Sequence, residues 1–461
     1  MSQTNRSPWI HQLNTDRPIE TLASDTATDI AIVGAGIAGV STAFFILEHT
    51  DKKVVLLDGG KLAHGATGHN AGHVTSAFEL SFEDMVKDFG LEKASEGQTL
   101  VDGAWELLED MYRKASLTIP FSQFTGYGGL PTLEHVLEEL ADNLLRSKAN
   151  IKQNSVAISK NAPYLGSIPA EYQELYSLVD QSEINEKLET EGEEYSAIVS
   201  YQTGLVNSAL FCQEIVRYLS TQYKERFSLY EHTFIQKIAL HESKAILDAG
   251  TKTITAEQVV LCTNGFENFT ILNYSGLDID SRFHHEVSGC VGYMCGYLEP
   301  MDKPPAARYY DIPFSKEEAK NIPTGEPYYY ITRRPYEYEQ NKEHNIVCVG
   351  GPEFELADRE QYVKDFLYPE EAHNDVDTFI KKTLRRKEQS AINYEFRWHG
   401  LMGYTPNRVR LIGSEPKNPV LLYNLGCNGI GILPSIYGGK RISQIVSGEK
   451  LNPSIFDPKD A

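Results

Sequence analysis

Gly34, Gly36 and Gly39, with Asp58 placed 24 residues after the first of them, are the residues whose types and spacing speak most directly of chemistry. Gly34 permits a tight turn. Gly36 lets a pyrophosphate reach the backbone beside Ile37 and Ala38. Gly39 lets a helix pack against the preceding strand. Asp58, followed by Gly59, supplies a carboxylate that accepts hydrogen bonds from ribose hydroxyls. A second run, Gly65-Ala66-Thr67-Gly68-His69-Asn70-Ala71-Gly72, sets glycines among hydroxyl, imidazole and amide groups. Such a loop exposes backbone N–H groups to an extended ligand.

The elements that must position these groups are legible around them. Residues 30–33 form a short apolar run suited to a buried parallel strand, residues 39–49 a helix, and residues 54–57 a second strand. The helix points its N-terminal N–H groups and dipole at the pyrophosphate. Strand, glycine turn, helix, strand and acid together predict a dinucleotide site. The alternative is a glycine-bearing βα turn that binds nothing. An NAD site has no need of a glycine-rich loop directly after its second strand, so the 65–72 loop favours a flavin dinucleotide.

The 65–72 loop resembles the Gly-(Ala/Ser)-(Ser/Thr)-Gly-Arg-Asn-(Ala/Gly)-Gly pattern of the D-amino acid oxidase flavoprotein family, with His69 in place of arginine. The segment from Ser7-Pro-Trp9 to Arg17-Pro18 is similar to the γ-glutamylputrescine oxidase-like branch. Val259-Val-Leu-Cys-Thr263-Asn264-Gly265, the segment from Arg397 through Gly403 and Tyr404 to Asn407, and Leu425-Gly426-Cys-Asn428-Gly429-Ile430-Gly431-Ile432 resemble further family segments beside the flavin. The resemblance implies FAD as cofactor, held by these segments together with Phe234 and Ile235. It implies oxidation of a C–N bond in an amine or amino acid: hydride passes to flavin N5, the resulting imine hydrolyses, and oxygen or another acceptor reoxidises the flavin. His69 resembles the histidine that bonds to the flavin in dimethylglycine dehydrogenase-like members; a histidine hydrogen-bonded near the cofactor is the alternative. Where amino-acid oxidases of the family carry an arginine and sarcosine oxidases a lysine, Met402 and Leu433 stand. That shifts weight toward an amine, or toward a carboxylate held by Arg333, Arg334 or Arg397. Tyr404, Arg397, Tyr330 and His69 are the candidate catalytic groups, and Tyr328 shares a strand face with Tyr330. Arg397 pairing with an internal acid, and tyrosines that merely pack, are the structural alternatives.

A chain of 461 residues suits two domains. The fold class expected is α/β, with a Rossmann-type FAD-binding domain assembled from residues 25–90, 203–275 and 396–461. A mixed-sheet α+β substrate domain takes residues 91–202 and 276–395, and 1–24 are an N-terminal extension. Residues 82–116 and 133–148 read as helices, 286–298, 328–333 and 345–350 as strands, and 357–390 as charged and helical. The net charge of −21 argues against nucleic-acid and anionic-membrane partners. No apolar run is long enough to cross a bilayer, and the polar first 25 residues lack a signal-peptide core. A cytoplasmic location is therefore expected. The six cysteines are scattered, and His64, His69 and His73 have no acid nearby to complete a metal site. Two rival readings stay open: an NAD-dependent dehydrogenase, and a flavoprotein whose FAD is structural or sensory, or a subunit of a larger complex, without amine turnover.

Overall fold

The computed structural model describes residues 5–266, 269–279, 287–312, 328–356, 362–365, 367–384 and 391–459. Two large sheets organise them. The first sheet is built around a parallel core. Thr26–Val33 lies between Val54–Leu57 and Thr253–Leu261; Phe227–Tyr230 pairs outside the former and Leu421–Leu425 outside the latter. Lys237–Leu240 and Ala245–Asp248 form an antiparallel extension against Thr253–Leu261. The four residues of Val54–Leu57 are all buried, as an apolar strand covered on both faces requires.

Helix Ile37–His49 follows the first strand, two residues earlier than its apolar pattern alone would place it. Its close seating is a matter of volume. A Cβ on residue 39 would lie 1.9 Å from the Gly34 carbonyl oxygen, and Gly34 itself has φ +106°. The C-terminal helix Ile432–Val446 packs along Ile37–His49, so both helices are largely buried.

The second sheet runs in the order Tyr394–Tyr404, Ser288–Pro300, Asn341–Leu356, Tyr328–Tyr338, Ala306–Asp311, Phe121–Leu130, Ala197–Val206, Ser155–Ser159 and Tyr176–Val179. Helices Phe82–Phe89, Leu91–Asp102, Ala104–Lys114 and Leu133–Lys148 occupy the stretches read as helical. Of the 357–390 block, Glu370–Thr383 is helical, while 357–361, 366 and 385–390 lie outside the described residues, as does Glu286.

Two of the expected boundaries fall within strands. Tyr394–Tyr404 pairs along Ser288–Pro300, and Ala197–Val206 along Phe121–Leu130. The stretches that begin at 396 and 203 in the sequence reading therefore start inside the second sheet. Both strands pass from that sheet directly to the cofactor side, so motif and sheet membership do not coincide.

The N-terminal extension is tied into the 65–72 loop. Trp9 is fully buried, its indole N–H donates to the Asn70 carbonyl, and the Arg334 guanidinium lies 5.0 Å above its ring. The Trp398 indole donates to the same carbonyl at 3.3 Å. The Asn207 amide donates to the Trp9 carbonyl at 3.2 Å, and Arg17 pairs with the buried Glu231.

Gly39→Ala should destabilise the protein by roughly 1–3 kcal/mol, because the clash is with backbone and cannot be relieved by a rotamer change. Thermal unfolding should show a fall of several degrees, with flavin lost on gel filtration. An unchanged melting temperature and full flavin content would refute the packing argument.

Candidate functional site

A cavity of about 380 Å³ runs from the glycine turn at Gly34 to the inner face of the second sheet. At one end lie Gly34, Gly36, Ile37, Ala38, Asp58 and Gly59. Asp58 holds both neighbouring turns: its Oδ2 accepts from Ala35 N at 2.8 Å and its Oδ1 from Gly60 N at 2.8 Å. Burial raises its carboxyl above the usual range, and these two N–H groups oppose that shift. Thr67 Oγ1 accepts from Ile37 N at 2.9 Å, joining the 65–72 loop to the helix N-terminus. The first-turn N–H groups of a helix have no intrahelical partner and carry its positive dipole end.

The 65–72 loop is held internally. Asn70 donates to the Thr67 carbonyl and to Ser208 Oγ, and its Oδ1 accepts from Gly72 N. Gly65, Ala66, Thr67, His69, Asn70 and Ala71 line the cavity. Gly68 instead packs beneath the loop, where a Cβ would meet Ile10 and the Ala63 carbonyl, and Gly72 faces Trp9 with φ +67°. His69 Nδ1 lies 2.9 Å from the Gly65 carbonyl oxygen, so it carries the proton and Nε2 keeps its lone pair. Burial lowers the His69 pKa to about 3, which keeps the ring neutral.

The third wall comes from the C-terminus. Gly429, Ile430, Gly431 and Ile432 line the cavity where helix Ile432–Val446 begins, with Gly431 as its N-cap. Gly429 has φ +72°. Asparagines hold this turn. Asn428 Oδ1 accepts from Thr405 N at 2.7 Å, and Asn428 N donates to the Gly403 carbonyl at 2.9 Å. Asn264 Oδ1 accepts from Cys427 N at 2.7 Å. Arg410 is buried and spent on the same turn: it donates to Asn424 Oδ1 and to the Asn424 and Gly426 carbonyls. Thr263, Asn264, Phe234 and Ile235 face the cavity. Gly39, Gly265, Gly403, Gly426 and Asn428 are absent from its lining. The first four are sites of close backbone packing: a Cβ at Gly403 would lie 2.1 Å from the Asn264 carbonyl oxygen, and one at Gly265 would strike Val287.

The far end is aromatic and acidic. Tyr309, Tyr328 and Tyr330 cluster there, with ring centroids 5.3–6.0 Å apart. Tyr329, between two of them, turns to the opposite face and stacks on Phe379 at 4.2 Å. Glu79 and Glu353 join this wall with His73, Thr75, Met294 and Met402. Tyr328 OH donates to Glu79 Oε1 at 3.2 Å. Burial raises the Glu79 pKa to about 7, against the pull of that bond and of Arg408. His73 bonds Tyr309 OH at 3.0 Å and also Thr203 Oγ1, and burial lowers its pKa to about 4.

Of the candidate catalytic residues, His69 and Tyr330 line the cavity. Tyr404 lies behind its wall, its hydroxyl beside Gly429 and Glu79. Arg397 is elsewhere. Gly400 and Met402 face inward, and strand alternation sends Arg397 outward, where Nη2 lies 3.5 Å from His373 Nε2. Arg333 pairs with Glu189 through both terminal nitrogens, at 2.9 and 2.7 Å, and Arg334 covers Trp9. None of the three lines the cavity. Sequence reasoning missed Glu79, Glu353, His73 and Tyr309. The one local signal was a carboxylate set among apolar neighbours, in Ala77-Phe-Glu79-Leu.

Glu79 should cost stability when ionised. Its folded pKa stands above the ordinary value of 4.5. Its penalty is therefore present above about pH 7 and vanishes below about pH 4.5, where both folded and unfolded carboxyls are protonated. Glu79→Gln should raise the melting temperature of the FAD-loaded protein by a few degrees at pH 8. At pH 4.5 it should leave it unchanged. Equal shifts at both pH values would contradict the assignment.

FAD fits the cavity on these observations. Glycines leave backbone accessible at the turn, helix N-termini point in from two sides, and Asp58 stands at the end of the second strand. The family model "FAD dependent oxidoreductase" (DAO) matches residues 29–445. Among curated proteins, the probable oxidoreductase OrdL of Haemophilus influenzae is 25% identical over 165 residues, 35% of this chain and 38% of that protein. Gamma-glutamylputrescine oxidoreductase of Escherichia coli is 27% identical over 94 residues, 20% of this chain and 22% of that protein. These matches span well under half of either relative's length. The crystal structure of glycine oxidase from Geobacillus kaustophilus shares the fold, with a TM-score of 0.65 at 17% identity over 94% of this chain and 98% of that one. No helix among the described residues is long and apolar enough to cross a membrane. The match across residues 29–445 places this chain in the DAO family of FAD-dependent oxidoreductases.

Proposed function

We propose that this FAD-dependent oxidoreductase oxidises the C–N bond of an amine or amino acid to an imine, which water hydrolyses to a carbonyl compound and an amine or ammonia. The observation that carries this reading is that the dinucleotide end of the cavity opens directly into the tyrosine- and carboxylate-lined end. Bound FAD supplies the two-electron oxidant, and oxygen or another acceptor takes the electrons onward. Residues 34–39, Asp58 and the 65–72 loop would hold the cofactor, with the Gly429–Ile432 turn presenting a helix N-terminus to it. Such an end stabilises negative charge that develops on a bound group.

Tyr330 and Tyr328 would orient the substrate against the cofactor and keep water out. Glu79 would accept a proton from the incoming ammonium, since its carboxyl titrates near neutrality. Arg397 has no part in the proposal, because it lies on the far face of its strand. The rival reading, FAD without amine turnover, lacks an observation of its own in this cavity. A cytoplasmic setting accords with the six free thiols, five of them buried.

Covalent attachment of FAD through His69 forms a second part of the proposal: a bond from Nε2 to the 8-methyl carbon of the flavin would replace one C–H bond, with the proton released to solvent and the two electrons passed through the flavin to oxygen or another acceptor. Its support is the neutral ring with Nδ1 held by Gly65 and Nε2 left as the nucleophilic nitrogen.

Anaerobic mixing with a panel of amines and amino acids should bleach the flavin band for at least one compound; no bleaching across the panel would end the oxidation reading. Tyr330→Ala should lower kcat/KM by about tenfold or more with flavin content unchanged. Acid precipitation should leave a yellow pellet that His69→Ala makes colourless, whereas a colourless wild-type pellet would remove the covalent bond and leave FAD binding intact.

A further inference from the structure

The charge of the substrate end is lopsided. Two carboxylates, Glu79 and Glu353, face it. The histidines that face it, His69 and His73, are neutral. Among the described lining residues, the one permanent cation is Arg410, and its guanidinium is committed to Asn424 and Gly426. The three arginines that the sequence offered as carboxylate anchors all point elsewhere. Against the described lining residues, a bound carboxylate would thus be desolvated beside two acids with no uncommitted cation among them, and the Arg408 charge already acts on Glu79.

The same end is well made for positive charge. The faces of Tyr309, Tyr328 and Tyr330 attract a cation through the ring quadrupole, the more so away from water. A separate observation converges on this spot. A Cβ at Gly429, which lines the cavity, would lie 2.8 Å from Glu79 Oε2, so that carboxylate oxygen reaches the cavity wall where the C-terminal turn meets the substrate end.

Resting on the proposed C–N oxidation, we propose that this site selects organic ammonium ions with no carboxylate beside the reacting carbon, held by Glu79 and Glu353 against the wall of Tyr309, Tyr328 and Tyr330. α-Amino acids are then poor ligands, and mono- or diamines without an α-carboxylate are the substrate class.

The test separates binding from turnover by using compounds that the enzyme cannot oxidise. FAD-loaded protein is titrated with benzyltrimethylammonium, 3-phenylpropanoate and 3-phenylpropanol, and perturbation of the flavin spectrum is followed. The cation should bind at least about tenfold more tightly than the carboxylate. Glu79→Gln and Glu353→Gln should each weaken the cation by about fivefold or more. Binding of the neutral alcohol should hold within about twofold, which verifies that the variants keep the pocket. A carboxylate that binds as tightly as the cation, a cation that does not bind, or glutamine variants that leave its affinity unchanged would each overturn the inference. Cation binding without bleaching by any amine would retire the oxidation reading and leave the selectivity standing. Bleaching by α-amino acids, together with tight carboxylate binding, would do the reverse.

Discussion

Backbone turns can present N–H groups to a cavity only if the rest of their polar atoms are satisfied elsewhere. In this protein buried and half-buried side-chain amides and one carboxylate meet that demand. Asp58 ties the Gly34–Gly36 turn to the Gly59–Gly60 turn. Asn70 closes the 65–72 loop on itself and on Ser208. Asn264 and Asn428 fasten the C-terminal turn from two directions. Each amide offers a donor and an acceptor about 2 Å apart, which suits it to bridging a turn and a neighbouring strand at once. The cavity is therefore a space between pinned loops, and the two sheets serve as the frame to which the pins attach.

The electrostatics follow from that construction. Holding the turns consumes Arg410, and packing the N-terminal extension and the flank of the second sheet consumes Arg334 and Arg333. Among the described residues, the inner face presents aromatic surface, two carboxylates and neutral imidazoles. The overall negative charge of the chain has the same sign as this local pattern, yet it is the enclosed carboxylates that matter, since solvent screens the surface charges within about 10 Å.

The cofactor end was legible because its chemistry is local. Three glycines, an acid and a second glycine loop lie within some forty residues, and each has a steric or hydrogen-bonding reason to sit where it does. The other end is non-local. Glu79, Tyr309, Tyr328 and Glu353 come from a loop and three strands whose adjacency depends on sheet order, and nothing in their immediate neighbourhoods records it. Arg397 illustrates a different limit. Its segment lines the cavity at Gly400 and Met402, but a strand sends alternate residues to opposite faces, and one residue of phase separates Trp398, Gly400 and Met402 from Arg397. The positions near 203 and 396 show a related limit: both lie in strands that pair within the second sheet along their whole length and lead into segments at the cavity, so a motif beside the cavity is a poor guide to where its strand pairs.

The parallel ladder has a temporal consequence. Leu421–Leu425 completes the first sheet by pairing with residues 259–261, and the helix that follows it covers Ile37–His49. Long-separated pairings of this kind form late, because the entropy of closing the intervening chain must be met first. Until that pairing forms, the second edge of residues 259–261 and the outer face of Ile37–His49 stay uncovered, so the Gly429–Ile432 wall of the cavity closes only when stretches far apart in the chain have met.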